Sequence, residues 1–261
     1  GVHDTDSANA PYRRNYTVYN NVSLAKRGRK VSEAVLDGTG ALYVVKNYKT
    51  LLFDFQGDTV DEAACRVEGT YVGHEAETTI YYEGQDNDSI VVAVSKDYDR
   101  YRNITRYTYE GIRGNGDGQR FIAHISYRQN AGHNLVSLPD TVTVCNHDSS
   151  IVFQRRTAEY DGNGHLTKLT RHNGGQVAVW DFTYDTFGNM VQAVMPQNDV
   201  GQRTDCRYTY DPEVHTYPVK VENHSLGFFS TTEYDLKFGK PVRTTDINGN
   251  AMRYGYDGMG R

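Results

Sequence analysis

The residue types that could do chemistry are all present, but they are not gathered into a recognisable catalytic pattern. No Gly-x-Ser-x-Gly elbow, His-Glu-x-x-His helix, phosphate loop or dinucleotide fingerprint occurs. The nine histidines are dispersed, and His165, His172, His215 and His224 fall at variable offsets that suit turns or surfaces better than ligation. Cys65, Cys145 and Cys206 are far apart, odd in number and free of CxxC spacing, so they read as small apolar residues and not as a disulfide, redox or metal set. Three oxygen-rich stretches invite a calcium reading: Asp161-Gly162-Asn163-Gly164, Asp86-Asn87-Asp88 and Asn115-Gly116-Asp117. Each fails the calcium-loop pattern, the first because His165 and Leu166 stand where a ligand and a glycine are needed, the others for want of the glycine and the distal glutamate. These residues therefore predict no metal, no cofactor and no enzyme. A pair of catalytic carboxylates for glycoside hydrolysis is a spatial feature that a sequence does not display, and that reading stays open.

The elements that would position such residues are strands. Runs such as Leu42–Val45, Thr79–Tyr82, Ile90–Val94, Thr105–Tyr109 and Thr141–Val144 are β-branched or aromatic and bounded by Gly, Asp or Asn. Helix signals are weak, with Asp58–Cys65 the best candidate for one short helix, and Gly114–Gly118 reads as a tight flexible loop. Apolar residues make up 38% of the chain and 21 residues are tyrosine, a composition for broad, half-exposed sheets and not for a thick oily core. The net charge of -5 gives no reason to expect nucleic acid or an anionic membrane as partner. Against that background Lys26-Arg27-Gly28-Arg29-Lys30 is the one basic cluster, a solvated strand end or a binding patch.

A repeat organises the second half. Tyr-Asp recurs at Tyr160-Asp161, Tyr184-Asp185, Tyr210-Asp211, Tyr234-Asp235 and Tyr256-Asp257, and a glycine follows at Gly164, Gly188 and Gly260, four residues past the tyrosine, and at Gly239, five past. Asp suits the first position of a type I turn and Gly the left-handed position that closes it, so Gly188 is expected to need a positive φ. The third unit departs, with Pro212 after Asp211 and His215 where glycine is expected, and needs a turn of another build. Second turn signals lie between the motifs, at Asn173-Gly174-Gly175, Asn198–Gly201 and Asn248-Gly249-Asn250. Each unit is thus two strands of about seven residues with turns at opposite ends. Ala251–Tyr256 reads as a further strand, with the strip expected to continue beyond Arg261.

The Tyr-Asp-x-x-Gly series resembles the YD repeats of the Rhs family, shared with the B and C components of insecticidal toxin complexes and with teneurins. Tyr160–Thr167 and Tyr184–Asn189 carry the likeness best, which extends over 156–261. Residues 1–155 are similar to the segment that precedes the repeats in toxin-complex B components, through Leu24–Glu33, Leu36-Asp37-Gly38 and Lys96–Asn103, although Arg102 stands where a repeat would have glycine. The resemblance implies an all-β fold of antiparallel hairpin repeats forming a curved, spiralling sheet, part of a shell. It also implies a non-catalytic scaffold that encloses or presents a C-terminal effector domain, secreted or at the cell surface, whose partners are the rest of its own polypeptide. The family's self-cleavage motif contains Asp-Pro, but Asp211-Pro212 is followed by Glu213-Val214-His215 in place of Gly-Leu and lies inside a repeat, so no protease residues are assigned. A tyrosine-rich sheet also suits a surface module that binds glycan or protein, and a glycan-active enzyme is the remaining alternative.

Overall fold

The structure is a computed structural model that describes residues 3–5, 11–22, 24–54, 56–61, 71–82, 89–112 and 119–261. Apart from one 3-10 turn at Ala131–His133, every regular element among them is a β-strand. No described helix is long and apolar enough to cross a membrane. The chain forms two compact units, one made of 1–129 with 141–154 and the other of 130–140 with 155–261.

In the first unit the strands are β1 (His3–Thr5), β2 (Pro11–Tyr19), β3 (Lys30–Asp37), β4 (Leu42–Phe53), β5 (Tyr71–Tyr81), β6 (Ile90–Tyr98), β7 (Ile104–Ile112) and β8 (Arg120–Asn130). Each pairs antiparallel with the next in the chain. β9 (Leu135–Asn146) begins in the second unit and ends in the first. Four of the five strand runs expected before the repeats fall within these elements and the fifth, Thr79–Tyr82, does so up to Tyr81, because β-branched and aromatic side chains pack well on a pleated surface. The helix expected over Asp58–Cys65 does not form in its described part: Thr59 bridges to Phe53 in antiparallel fashion, and the Val60 N–H donates to the Leu52 carbonyl. Backbone pairing with β4 takes the groups that a helix would have bonded internally. Residues 62–65, Cys65 among them, lie outside the described residues, as do Asp86–Asp88 and Gly114–Gly118.

The second unit is a meander of β10 (Val152–Tyr160), β11 (Leu166–Asn173), β12 (Gln176–Tyr184), β13 (Met190–Gln197), β14 (Arg203–Tyr210), β15 (Pro218–Asn223), β16 (Phe228–Asp235), β17 (Lys240–Thr245) and β18 (Ala251–Arg253). Consecutive strands pair antiparallel throughout. Strands β11 to β17 run to between six and nine residues. β18 is shorter than the run Ala251–Tyr256 suggests, although the Tyr254 N–H still donates to the Val242 carbonyl. Burial is thin in both units. Leu52, Phe53, Ile122, Cys145 and Ala193 are the buried hydrophobic side chains among the described residues, and Thr79, Asn103 and Asp211 the buried polar ones. With both faces of most strands half-exposed, cohesion comes from cross-strand pairs and from whatever ties the turns together.

Candidate functional site

Each repeat turn is closed by its own aspartate. At Asp185 the backbone N–H donates to the Asn189 carbonyl and the Gly188 N–H donates back to the Asp185 carbonyl. The carboxylate Oδ1 accepts from the N–H groups of Phe187 and Asn189, both at 2.9 Å, and Oδ2 accepts from Asn189 Nδ2 at 3.1 Å. Gly188 closes the loop at φ 86°, where a Cβ would be strained. Asp161 repeats the arrangement with Asn163 and His165, and Asp257 with Met259 and Arg261. The carboxylate oxygens of the Asp161 stretch are therefore occupied by backbone donors and by His165 Nδ1 at 2.8 Å, which accounts for its oxygen-rich look without a cation. No group of three or more His, Cys, Asp or Glu that could hold a metal converges among the described residues.

Two repeats vary the device. In the fourth, the Gly239 N–H reaches the Asp235 carbonyl at 2.8 Å across one additional residue, while Asp235 Oδ1 accepts the Lys237 N–H. In the third, Asp211 is only 4% exposed and serves a longer turn. Its Oδ1 takes the N–H groups of Glu213 and Val214, its Oδ2 those of Thr216 and Tyr217, and His215 adopts a φ of 52° in the place of glycine. Burial pushes this carboxyl up, but the four backbone donors outweigh it and hold the group far below the usual carboxylate range. Asp161, Asp185 and Asp257 are lowered as well: Asp161 chiefly by His165, Asp185 by the Asn189, Phe187 and Gly188 donors against an opposing burial effect, and Asp257 chiefly by the Arg261 N–H.

The tyrosines and glycines of these motifs tie one repeat to the one before. Tyr160 Oη donates to the Pro139 carbonyl, Tyr184 to Leu166, Tyr210 to Met190 and Tyr256 to Pro241, at 2.9 to 3.1 Å. For the first three the acceptor lies on the preceding strand, and Tyr256, just past β18, reaches back to β17. Burial raises the phenol pKa of Tyr160, Tyr184 and Tyr210, with a nearby aspartate adding to it, so these hydroxyls stay protonated donors at neutral pH. Tyr234 stacks instead on Tyr217, with centroids 5.0 Å apart. His165 stacks on Tyr184 at 4.8 Å, Phe187 on His215 at 3.9 Å, and Asn189 Nδ2 donates to the His215 carbonyl at 2.6 Å. The motif glycines meet these groups: a Cβ on Gly164 would lie 2.9 Å from Leu135 Cδ1, on Gly188 3.0 Å from His165 Nε2, on Gly239 2.3 Å from Tyr217 Oη, and on Gly260 2.9 Å from Phe238 Cδ1. At the other ends of the strands, Gly174, Gly175, Gly201 and Gly249 have nothing within 4 Å of a Cβ. One edge of the second unit is thus a packed ladder of turns and the other an open row.

Several members of this system escape a search for Tyr-Asp. Asp37, Asp54, Asp246 and Asn198 close turns with the same backbone bonds, and Gly40, Gly57, Gly249 and Gly201 take the positive φ. The usable signal is Asp or Asn followed three residues later by Gly, without the tyrosine. Asp99 does likewise, with Arg102 at φ 68° in the glycine position. Its guanidinium lies 3.7 Å from the centre of the Tyr71 ring, a cation–π contact that offsets the backbone strain. The unit at Tyr98 therefore has the turn of a repeat despite its missing glycine. Tyr127 Oη donates to the Ile104 carbonyl at 3.0 Å in the manner of the repeat tyrosines. Arg203 is a separate clamp, donating to the Met195, Val179 and Val194 carbonyls and to Asp181 Oδ2 at 2.7 Å across three strands.

A family model described as RHS Repeat matches residues 160–200, the stretch that carries the first two of these turns. Over those residues the chain matches an RHS repeat. No curated protein sequence matches it. Among solved structures its fold is similar to TcdB2-TccC3 without the hypervariable C-terminal region, at TM-score 0.70 and 12% identity over 90% of this chain. It is also similar to the Tc holotoxin pore of Photorhabdus luminescens carrying a mutant TccC3, at TM-score 0.71 and 11% identity over 90% of this chain. The present chain spans 16% of the length of each of those chains. The likeness is one of fold, an all-β antiparallel architecture.

Proposed function

We propose that this chain is a length of wall in an RHS-type shell, a non-catalytic scaffold that encloses or presents a C-terminal effector domain of the same polypeptide outside the cell. The observation that carries this reading is the turn ladder. The Asp of each repeat closes its own turn while the Tyr and Gly pack against the preceding repeat, which is work for a wall. The solved relatives support the reading from outside, since they belong to toxin assemblies and one of them is defined by lacking a hypervariable C-terminal region. The repeat residues Tyr160 to Gly260 are accordingly structural, and 1–155 is the part that leads into the repeats.

The enzyme alternative asks for a cavity with carboxylates in unlike surroundings. A hollow of about 230 Å³ does hold Glu75 and Glu77, but lysines of β4 attend both: Lys49 Nζ lies 2.8 Å from Glu75 and Lys46 Nζ 3.8 Å from Glu77.

The test is limited proteolysis of the full-length parent polypeptide. Its C-terminal domain should be cleaved far more slowly than the same domain expressed alone, and Gly188→Val, by opening the ladder, should speed cleavage. Equal cleavage of the tethered and free domains would reject the shell.

A further inference from the structure

Apart from the ladder, the first unit holds a groove where β4 runs on past the start of β3. β3 begins at Lys30 and its register with β4 starts at Ser32 opposite Asn47, whereas β4 continues to Phe53. The connection from β2 to β3 is closed by the Asn20 N–H donating to the Arg29 carbonyl at 2.8 Å and the Gly28 N–H donating to the Asn20 carbonyl at 2.9 Å, with Gly28 at φ 75°. Two adjoining hollows of about 280 and 380 Å³ result, lined by Lys26, Arg29, Lys30 and Lys49 together with Tyr19 and Tyr48.

No carboxylate is among the described residues that line either hollow. In a chain of net charge -5 this is a local reversal of sign. Glu33 and Glu75 stand outside the lining and hold Lys30 and Lys49 at 2.6 and 2.8 Å, which leaves each ammonium further donors for a ligand. Lys49 remains 69% exposed at its side chain. Tyr48 is fixed beside the cations by its hydroxyl, which donates to Glu33 Oε2 at 2.5 Å, while Tyr19 is 49% exposed and offers an open ring.

We infer that this groove binds an anionic saccharide bearing sulfate or carboxylate groups. The cations meet the anionic groups, the tyrosine rings meet the C–H face of a pyranose, and Asn20 and Thr50 in the lining can hydrogen-bond its hydroxyls. An acidic peptide would find the same cations, but Val31 is the sole aliphatic side chain among the described lining residues to seat its own. A nucleic-acid track is opposed by the negative charge of the rest of the chain. This site is independent of the shell role, and either can fail without the other.

Calorimetry of the 261-residue chain with a heparin-derived oligosaccharide, its desulfated counterpart, polyglutamate and inorganic polyphosphate tests the inference. The sulfated oligosaccharide should bind most tightly and the desulfated one, left with its carboxylates alone, more weakly. Lys26→Glu with Arg29→Glu should weaken binding at least about tenfold, and Arg27→Glu, whose residue is outside the lining, by less than about twofold. Tyr19→Ala should weaken the saccharide several-fold and leave polyphosphate unchanged, with circular dichroism and melting temperature confirming that each variant is folded. Absence of saccharide binding, an equal effect of Arg27→Glu, or polyglutamate and polyphosphate binding as tightly as the saccharide with no effect of Tyr19→Ala would overturn it. The last pattern would describe a peptide site or simple cation exchange.

Discussion

At the scale of the residue, the tyrosine hydroxyl is what distinguishes the repeat from a merely aromatic strand end. A phenylalanine at position 184 would keep the ring against His165 but leave the Leu166 carbonyl without its donor. Tyr184→Phe should therefore cost about 1 kcal/mol in urea unfolding, the usual net value of one such bond. Tyr43→Phe, at a tyrosine 48% exposed on β4, should stay within about 0.5 kcal/mol, as surface changes do. Equal losses would mean that the hydroxyl bond carries no weight. The glycines divide in the same way. Gly201 and Gly239 both have positive φ, 79° and 65°, so an alanine at either is strained by roughly 1 to 2 kcal/mol. Only at Gly239 does the new Cβ meet a neighbour, Tyr217 Oη, and displacing that ring from Tyr234 should add about 1 kcal/mol for the lost stack. Gly239→Ala and Gly201→Ala compared by denaturant unfolding read that difference directly, and identical costs would deny the packed edge.

At the scale of the element, a turn here is a carboxylate wrapped in backbone N–H groups, and its charge belongs to its stability. Asp37, Asp161, Asp185, Asp211, Asp246 and Asp257 all have folded-state pKa values below the ordinary value. A group lowered on folding contributes fully above its unfolded pKa and loses that contribution as pH falls through the folded one. Stability should thus be level from neutral pH to about 5 and fall progressively below about 4, near the unfolded carboxylate value. Asp211, buried and holding four donors, should stand out: Asp211→Asn should destabilise the chain at pH 7 and flatten the acid limb of the stability profile. Denaturant unfolding between pH 7 and pH 3 measures both effects, and an unchanged limb in the variant would rule Asp211 out as the main acid-sensitive group. The third repeat also shows why its turn was not legible in detail. Pro212 and His215 announced a departure from the motif, but which N–H groups would converge on Asp211 depended on a loop closing around it.

At the scale of the whole molecule, an antiparallel β-protein with thin burial should give far-UV circular dichroism with less than about a fifth helix, against base rates near a third. A larger helical signal would contradict the strand assignment of 119–261. The sequence by itself determined the all-β class, the antiparallel hairpins and turns in both rows, because alternation and the Asp-to-Gly or Asn-to-Gly interval are local properties that survive without tertiary context. It also flagged the basic cluster, since charge is visible in composition. It misjudged Asp58–Asp61, where pairing with β4 overrode a weak helical preference. Which carbonyl each tyrosine would reach, which glycines would be crowded, and that Lys49 and Tyr48 would join the basic cluster were decided only by tertiary structure. The physical reason is that each depends on strand register, and register brings together residues about 15 to 25 positions apart whose meeting no local pattern encodes.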